Sequence, residues 1–205
     1  MNELTADNLH LWRGEQHVLQ GVGFILNAGE CLQVTGANGA GKTTLLRALC
    51  GLVPVEEGRI CWRGRDIRDD LESFHRELCY LGHDNGLKGD LTAEENLRYA
   101  GGLRSQLEPG AINRALTRTG VPEVGGQRVR RLSAGQRRRV ALARMALTVG
   151  TLWIMDEPGS NLDTTGQTLV LDLLQGHLAR GGAAVVATHQ ELGLSAGQLR
   201  GLALQ

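Results

Sequence analysis

The chain has 205 residues and carries 22 Lys and Arg against 22 Asp and Glu, so its formal net charge is zero. Bulk electrostatics therefore does not hold it to nucleic acid or to an anionic membrane surface, which argues against both partners. No run approaches the roughly eighteen apolar residues of a membrane-spanning helix, and residues 1–10 lack a secretory leader. We expect a single domain over residues 1–205 that stays in the cytosol unless a partner holds it at a membrane.

Residues 36–44 read Gly-Ala-Asn-Gly-Ala-Gly-Lys-Thr-Thr and match the phosphate-binding pattern G-x-x-x-x-G-K-[ST]. An apolar run at 31–35 precedes them and a helical run at 45–49 follows, which is the strand, loop and helix context that the pattern requires. This context argues against a Gly-rich turn that merely joins two elements. We expect nine residues to bind a nucleoside triphosphate: Gly36, Ala37, Asn38, Gly39, Ala40, Gly41, Lys42, Thr43 and Thr44.

Each residue type in this loop has a physical task. Glycine lets backbone N–H groups come close to phosphate oxygens at the positive end of the following helix. Lys42 adds a positive charge beside the β and γ phosphates, and the Thr43 hydroxyl can ligate Mg²⁺.

Strands and helices alternate along the rest of the chain. Before residue 62, β-like runs lie between Gly and Asn turns and predict a short-stranded antiparallel element. Residues 85–147 predict an inserted helical subdomain, in which a capping box at 92–95 starts a helix towards Leu103. The fold class is therefore α/β with a mainly parallel sheet, an antiparallel β subdomain and this helical insertion. The expected strands are 23–26, 59–62, 78–81, 152–155, 183–187 and a last one ending at Gln205, and further helices are expected at 111–119, from Ser133, and at 165–178.

Four apolar residues, 152–155, deliver Asp156 and Glu157. Ligands of open α/β sheets bind beyond the carboxyl ends of the strands, so we expect Asp156 near the Mg²⁺ that Thr43 holds. Glu157 is placed to act as the general base on the attacking water. The alternative, a solvated turn before Pro158, is disfavoured by the phosphate loop upstream.

The pentapeptide Leu-Ser-Ala-Gly-Gln occurs twice, at 132–136 and at 194–198. The first copy stands about twenty residues before the carboxylate strand and opens an amphipathic helix, and its Ser and Gln form a capping box. A capped helix N-terminus can also bind a phosphate group. We interpret the first copy as functional and the second as coincidence.

Together these motifs resemble the nucleotide-binding domain of ATP-binding cassette (ABC) transporters over essentially the whole chain. The resemblance implies an ATPase that uses ATP and Mg²⁺, with Lys42, Glu157 and His189 as catalytic residues and Asp163 in the D-loop. It also implies a head-to-tail dimer, in which the signature of one copy contacts the γ-phosphate held by Lys42 of the other. The signature residues are Leu132, Ser133, Ala134, Gly135 and Gln136.

Two positions depart from the common pattern of that family. His83 stands where a glutamine usually links the metal to the transmembrane partner, and this puts the coupling role in question. The aromatic residue that stacks on adenine is displaced, since Arg13 takes its place. We assign adenine stacking to the neighbouring Trp12.

His83, the 86–97 segment, the Arg-rich signature helix and the short length resemble the ATPase subunits of the cytochrome c maturation complex, or haem exporter. This resemblance implies a peripheral protein at the cytoplasmic face of the bacterial inner membrane. Its partners would be a second copy, small integral membrane subunits and, indirectly, a haem chaperone. Whether haem itself is moved is left open.

Three other functions remain open at this stage. The same motifs suit the ATPase of another small-molecule exporter, or a soluble ATPase of an iron–sulfur assembly scaffold. A cluster of arginines suggests nucleic acid, but the neutral net charge and the single cassette argue against it. These arginines are Arg128, Arg130, Arg131, Arg137, Arg138 and Arg139.

Overall fold

The computed structural model describes residues 2–102, 107–148 and 150–204, with the backbone alone for Asn2 and Gly102. The chain divides into two compact units. Unit 1 comprises Met1–Tyr80, Gly150–Glu157 and Leu174–Gln205, and unit 2 comprises Leu81–Val149 and Pro158–Leu173. The helical insertion expected at 85–147 falls within the range of unit 2, and a single domain over residues 1–205 stays a prediction.

The described residues form strands and helices that are numbered in chain order. The strands are β1 (Asn2–Arg13), β2 (Gln16–Asn27), β3 (Cys31–Thr35), β4 (Glu57–Trp62), β5 (Arg65–Asp66), β6 (Leu78–Leu81), β7 (Leu152–Asp156), β8 (Ala183–Ala187) and β9 (Leu199–Ala203). The helices are α1 (Lys42–Leu49), α2 (Leu71–Glu77), α3 (Ala93–Gly102), α4 (Ala111–Arg118), α5 (Ala134–Leu147) and α6 (Thr164–Ala179).

An antiparallel sheet in unit 1 has the strand order β2-β1-β4-β5. The antiparallel element is confirmed, but the short strands expected from the sequence are wrong, since β1 and β2 each run for 12 residues. Asn8 and Gly21, which both have positive φ, lie in an irregular stretch of the ladder instead of ending the strands. Bulges of this kind let a strand continue through residues that usually mark turns.

The second sheet has the order β6-β7-β8-β3-β9, and β7, β8, β3 and β9 run parallel. Every residue of β7 and β8 is buried, as expected for central strands of a sheet covered on both faces. The apolar side of α1 joins the same core of unit 1 through Leu45, Leu46 and Leu49. The predicted mainly parallel sheet is confirmed.

A separate apolar core holds unit 2 together. Leu97 of α3, Leu116 of α4 and Val140 of α5 are almost fully buried in it. Thr92 and Glu95 form the predicted capping box of α3, with backbone-to-side-chain bonds of 2.7 and 3.1 Å. Within the described ranges, no helix combines the length and the apolar character needed to cross a bilayer.

Outside the antiparallel sheet, the predicted elements with described ends agree with the structure to within one residue. Within that sheet, the runs at 23–26 and 59–62 cover only parts of β2 and β4, and β1 and β5 have no predicted strand. Helix α2 has no counterpart in the prediction, because its seven residues bury only Phe74 and leave little periodic signal. Leu103 and Gln205, where a helix and a strand were expected to end, lie outside the described residues.

Candidate functional site

The phosphate loop connects β3 to α1 in unit 1, as its sequence context predicts. Gly36, Gly39 and Gly41 have φ values of +148°, +88° and +92°, a region that side chains with a Cβ rarely adopt. Space is limiting as well, since a Cβ on Gly41 would lie 2.7 Å from Val18 Cγ1 and one on Gly36 would lie 2.6 Å from the Leu204 carbonyl oxygen. Backbone conformation therefore favours glycine at all three positions, and close packing requires it at Gly36 and Gly41.

Lys42 is the first residue of α1, and its ammonium group lies inside the loop. Its Nζ donates hydrogen bonds to the carbonyl oxygens of Gly36 at 2.7 Å and Ala37 at 3.0 Å. The N-cap residue is Gly41, which offers no side-chain acceptor to the first N–H groups of the helix. The loop thus presents a cation and a helix N-terminus at one place, which suits an anionic phosphate group.

Thr43 and Asp156 meet at the carboxyl end of β7. Thr43 Oγ1 donates a hydrogen bond to Asp156 Oδ2 at 2.7 Å, and Asp156 is only 3% exposed. A hydroxyl and a carboxylate this close offer two hard oxygen donors, the type of ligand that Mg²⁺ prefers. The residues present therefore fit a magnesium ion, which the Thr43 hydroxyl and the Asp156 carboxylate would hold.

Glu157 follows β7 with a φ of +45°, in the left-handed region that non-glycine residues seldom occupy. Its backbone N–H donates to the Ala187 carbonyl oxygen at 2.9 Å, which fixes the turn against the end of β8. His189 lies two residues beyond β8, and its Nε2 is 3.7 Å from Glu157 Oε1. Because β7 and β8 are parallel neighbours, their carboxyl ends bring these two side chains together.

Unit 1 therefore gathers five of the predicted site residues: Lys42, Thr43, Asp156, Glu157 and His189. The Glu157 side chain is 27% exposed and that of His189 is 53% exposed, so water can reach both. A buried carboxylate beside a hydroxyl, a loop cation and a second, water-accessible carboxylate are the components of phosphoryl transfer to water. The individual roles of these residues stay predictions.

Trp12 belongs to a stack of three aromatic rings on β1 and β2. It lies parallel to His17, with ring centroids 4.0 Å apart and an interplanar angle of 6°. His10 Nδ1 and His17 Nε2 are 3.0 Å apart, and the His10 ring also stacks on Trp12. The sequence predicts only Trp12 of these three rings. The turn around Gly14 was the missed signal, since it places Trp12 and His17 opposite each other in the ladder.

The two copies of the pentapeptide adopt different structures. At Ser133 the hydroxyl accepts from the Gln136 N–H at 3.1 Å and the Gln136 side chain accepts from the Ser133 N–H at 3.0 Å, which closes the predicted capping box of α5. A Cβ on Gly135 would lie 3.1 Å from the Asn161 carbonyl oxygen. At Ser195 the same five residues form a turn that leads into β9.

Two further predicted positions, His83 and Asp163, lie in unit 2. His83 is exposed in the segment between β6 and α3. Asp163 accepts from the Gly166 N–H at the start of α6 and from Arg139 Nη2, both at 2.9 Å. The Gly166 hydrogen bond, supported by the Arg139 contact, holds the pKa of Asp163 below its ordinary value despite a smaller opposing effect of desolvation. Asp163 is thus tied to α5, the helix that begins at the predicted signature residues.

Sequence and structure comparisons give a consistent result. A protein-family model described as ABC transporter matches residues 19–160. The cytochrome c biogenesis ATP-binding export protein CcmA 2 of Cupriavidus metallidurans is 47% identical over 190 residues, which cover 92% of this chain and 90% of that protein. The corresponding protein CcmA of Dechloromonas aromatica is 45% identical over 203 residues, with coverages of 98% and 99%.

A solved structure supports the fold independently. It is the dimeric structure of a post-hydrolysis state of an ATP-binding cassette bound to ADP and Pi. Its TM-score is 0.82 at 23% sequence identity, and the match covers 91% of this chain and 88% of that one. At this identity the likeness shows the fold alone.

Proposed function

This chain belongs to the ABC transporter family and groups with its CcmA proteins, and from that membership we propose that it is the ATP-hydrolysing subunit of a membrane complex for cytochrome c biogenesis. The observation that carries the proposal is the meeting of the phosphate loop with the carboxyl ends of β7 and β8 inside unit 1. This arrangement provides a binding loop for the triphosphate and a carboxylate that can act on the attacking water.

In the proposed reaction, ATP places its β and γ phosphates in the loop at residues 36–44. The Lys42 ammonium, already held there by two carbonyl oxygens, neutralises part of the phosphate charge. Thr43 and Asp156 would hold Mg²⁺, which supplies further charge neutralisation at the β and γ oxygens.

Hydrolysis then requires a water molecule beside the γ phosphorus. Glu157 accepts a proton from this water while the water oxygen forms a bond to the γ phosphorus and the bond from that phosphorus to the β,γ-bridging oxygen breaks. ADP and inorganic phosphate are the products. His189, 3.7 Å from Glu157, is in position to orient that carboxylate and to bond to the γ-phosphate.

A second copy of the chain completes the site in this proposal. Ser133 and Gly135 stand at the N-terminus of α5, in unit 2, whereas Lys42 and Glu157 belong to unit 1. In a head-to-tail pair, the signature of one copy contacts the γ-phosphate that the other copy holds. Asp163 is hydrogen-bonded to Arg139 of the same α5, so we expect it to respond to that contact. Trp12 is our candidate for stacking on adenine.

The membrane part of the proposal depends on the named relatives. Two CcmA proteins that match more than nine-tenths of the chain at 47% and 45% identity are described as cytochrome c biogenesis ATP-binding export proteins. We place this chain at the cytoplasmic face of an inner membrane, bound to small integral membrane subunits through the region of His83. ATP hydrolysis would support the delivery of haem to a chaperone on the opposite side of that membrane.

Two other partners would leave the ATPase chemistry unchanged. The ATPases of other small-molecule exporters and of iron–sulfur assembly scaffolds would have the same nucleotide site. The partner that the chain binds therefore distinguishes the three functions. Nothing in the described part of the chain favours either alternative over the complex for which the relatives are named.

The test is to purify the chain with a C-terminal tag from its native membranes in mild detergent. Phosphate release, the co-purifying proteins and the haem absorbance spectrum are measured in one preparation. Small polytopic proteins together with a haem-loaded chaperone support the proposal. Polytopic partners without haem point to another exporter, soluble partners alone point to a scaffold ATPase, and absence of phosphate release from the intact complex refutes the ATPase.

A further inference from the structure

Arg138 is a buried charged residue on the signature helix α5. Only 2% of it is exposed, and it is among the largest fully buried side chains of the described residues. Burial of a guanidinium group costs free energy unless its N–H groups find acceptors. The flanking residues Arg137 and Arg139 are both more exposed, so the burial belongs to this position and not to the arginine run as a whole.

The hydrogen-bond acceptors that the structure gives for Arg138 lie in two separate segments of unit 2. Its Nε donates to the Pro158 carbonyl oxygen at 3.1 Å. Its Nη1 donates to the Gly82 carbonyl oxygen and to Asn85 Oδ1, both at 3.0 Å. A planar guanidinium can bond in several directions at fixed angles, whereas an ammonium acts as a point charge. This one side chain therefore joins α5 to two loops.

Both loops carry residues of the proposed reaction. Gly82 and Asn85 flank His83 in the sequence. His83 stands at the position where a glutamine of the family usually links the metal to the transmembrane partner. Pro158 follows Glu157 directly, so a bond to its carbonyl oxygen restrains the chain next to the general base. The helix that provides the anchor starts at the signature residues Ser133–Gln136. Three motif segments thus converge on one buried guanidinium.

The other arginines of α5 do not join the same pair of loops in the contacts that the structure gives. Arg139 binds the Thr119 carbonyl oxygen and Asp163, and Arg144 binds the Gly86 carbonyl oxygen. A purely space-filling role is a poor explanation of Arg138, because an apolar side chain fills a core without the cost of a buried charge.

We propose that Arg138 is a positioning residue for ATP hydrolysis: it holds the peptide after Glu157 and the loop around His83 in one geometry relative to the signature helix. This inference rests on the proposed ATPase function. It assigns no contact of Arg138 with ATP, so it concerns the rate of hydrolysis and not the affinity for nucleotide.

The test compares steady-state ATP hydrolysis by the intact protein with that of Arg138→Gln and Arg138→Lys, per molecule shown to be folded by circular dichroism and thermal melting. We expect kcat to fall by about tenfold to a hundredfold in Arg138→Gln, since small displacements of catalytic groups have effects of this size. The KM for ATP stays within about twofold, because Lys42 and the loop at 36–44 are unaltered. Arg138→Lys keeps the charge but cannot span both loops, so it restores little of the kcat.

Arg114→Gln is the matched control. Arg114 of α4 also donates to a proline carbonyl oxygen, that of Pro109 at 3.0 Å, but it is exposed and flanks no motif. Its kcat is expected to equal that of the unaltered protein. The control separates the loss of an arginine-to-backbone bond in unit 2 from the loss of this particular bond.

Several outcomes would overturn the inference. The inference is wrong if kcat is unchanged in folded Arg138→Gln or if Arg138→Lys has the kcat of the unaltered protein. It is also wrong if a rise in the KM for ATP accounts for the whole loss of activity. If neither Arg138 variant folds, Asn85→Ala decides, since it removes one acceptor and keeps the arginine: a lower kcat at constant KM supports the inference, and an unchanged kcat refutes it. Failure of the unaltered protein to hydrolyse ATP would instead refute the proposed function.

Discussion

His177 makes the stability of unit 1 depend on pH. Its ring, 4% exposed, stacks on Trp153 with centroids 4.1 Å apart and an angle of 10°. Its Nε2 lies 3.1 Å from the Ala183 carbonyl oxygen, to which it donates when protonated. Desolvation by burial lowers the pKa of His177 to about 4, and the carbonyl contacts oppose this only in part.

The sign and size of the effect follow from proton linkage. In the unfolded chain a histidine has a pKa of about 6.5, so between pH 6.5 and pH 4 the unfolded state binds more protons than the folded state. The free energy of unfolding that His177 contributes is complete above this window and is lost as the pH falls through it. From pH 7 to pH 5 the loss due to this residue is about 2 kcal/mol.

Urea denaturation of the unaltered protein and of His177→Gln at pH 7 and pH 5 measures this contribution. Glutamine has no titratable proton and can still donate an N–H towards the Ala183 carbonyl oxygen. Carboxylates with lowered pKa values, such as Glu30, are present in both proteins and cancel in the comparison. Equal losses of stability in the two proteins between pH 7 and pH 5 would refute the reasoning.

Two further predictions concern the proposed site. Glu157→Gln should lower kcat by roughly 10²- to 10⁴-fold and should accumulate an ATP-bound dimer in size-exclusion chromatography. The control Glu191→Gln, at an exposed position, should match the unaltered protein. Normal phosphate release by Glu157→Gln would show that Glu157 is not the general base. Ser133→Ala should cost about 1 kcal/mol of stability by loss of the α5 cap and should weaken ATP-dependent dimerisation, and Ser195→Ala should do neither. Equal effects of the two serine changes in melting and dimerisation assays would contradict our interpretation of the repeated pentapeptide.

Much of the fold was predictable because local patterns agree with the tertiary structure. The apolar runs that became β7 and β8 are buried at every position, so their hydrophobicity alone identifies them. The capping boxes at Thr92 and Ser133 place two helix starts correctly. Repetition of a pattern is not sufficient, however, since the residues that cap α5 at Ser133 form a turn at Ser195. Periodicity after the pentapeptide, and not the pentapeptide itself, distinguishes the two.

The sequence did not predict some contacts between residues that are far apart along the chain. Arg138 is one of three consecutive arginines, and from the sequence the cluster was considered as a nucleic-acid surface, which the net charge argues against. Only the fold brings Gly82 and Pro158 to the same guanidinium. His17 was likewise missed, because its stacking on Trp12 depends on the register of the β1–β2 pair, which the turn around Gly14 sets.

Glu157 adopts a backbone conformation that glycine would take at little cost. A non-glycine residue in this region loses on the order of 1–3 kcal/mol, and the backbone hydrogen bond from residue 157 to Ala187 holds the turn in this conformation whichever residue stands there. In the proposed reaction, glycine at this position would relieve the backbone strain but would remove the general base. Under the proposed role of Glu157, selection for a relaxed backbone would favour glycine at this position, whereas selection for hydrolysis would keep the carboxylate.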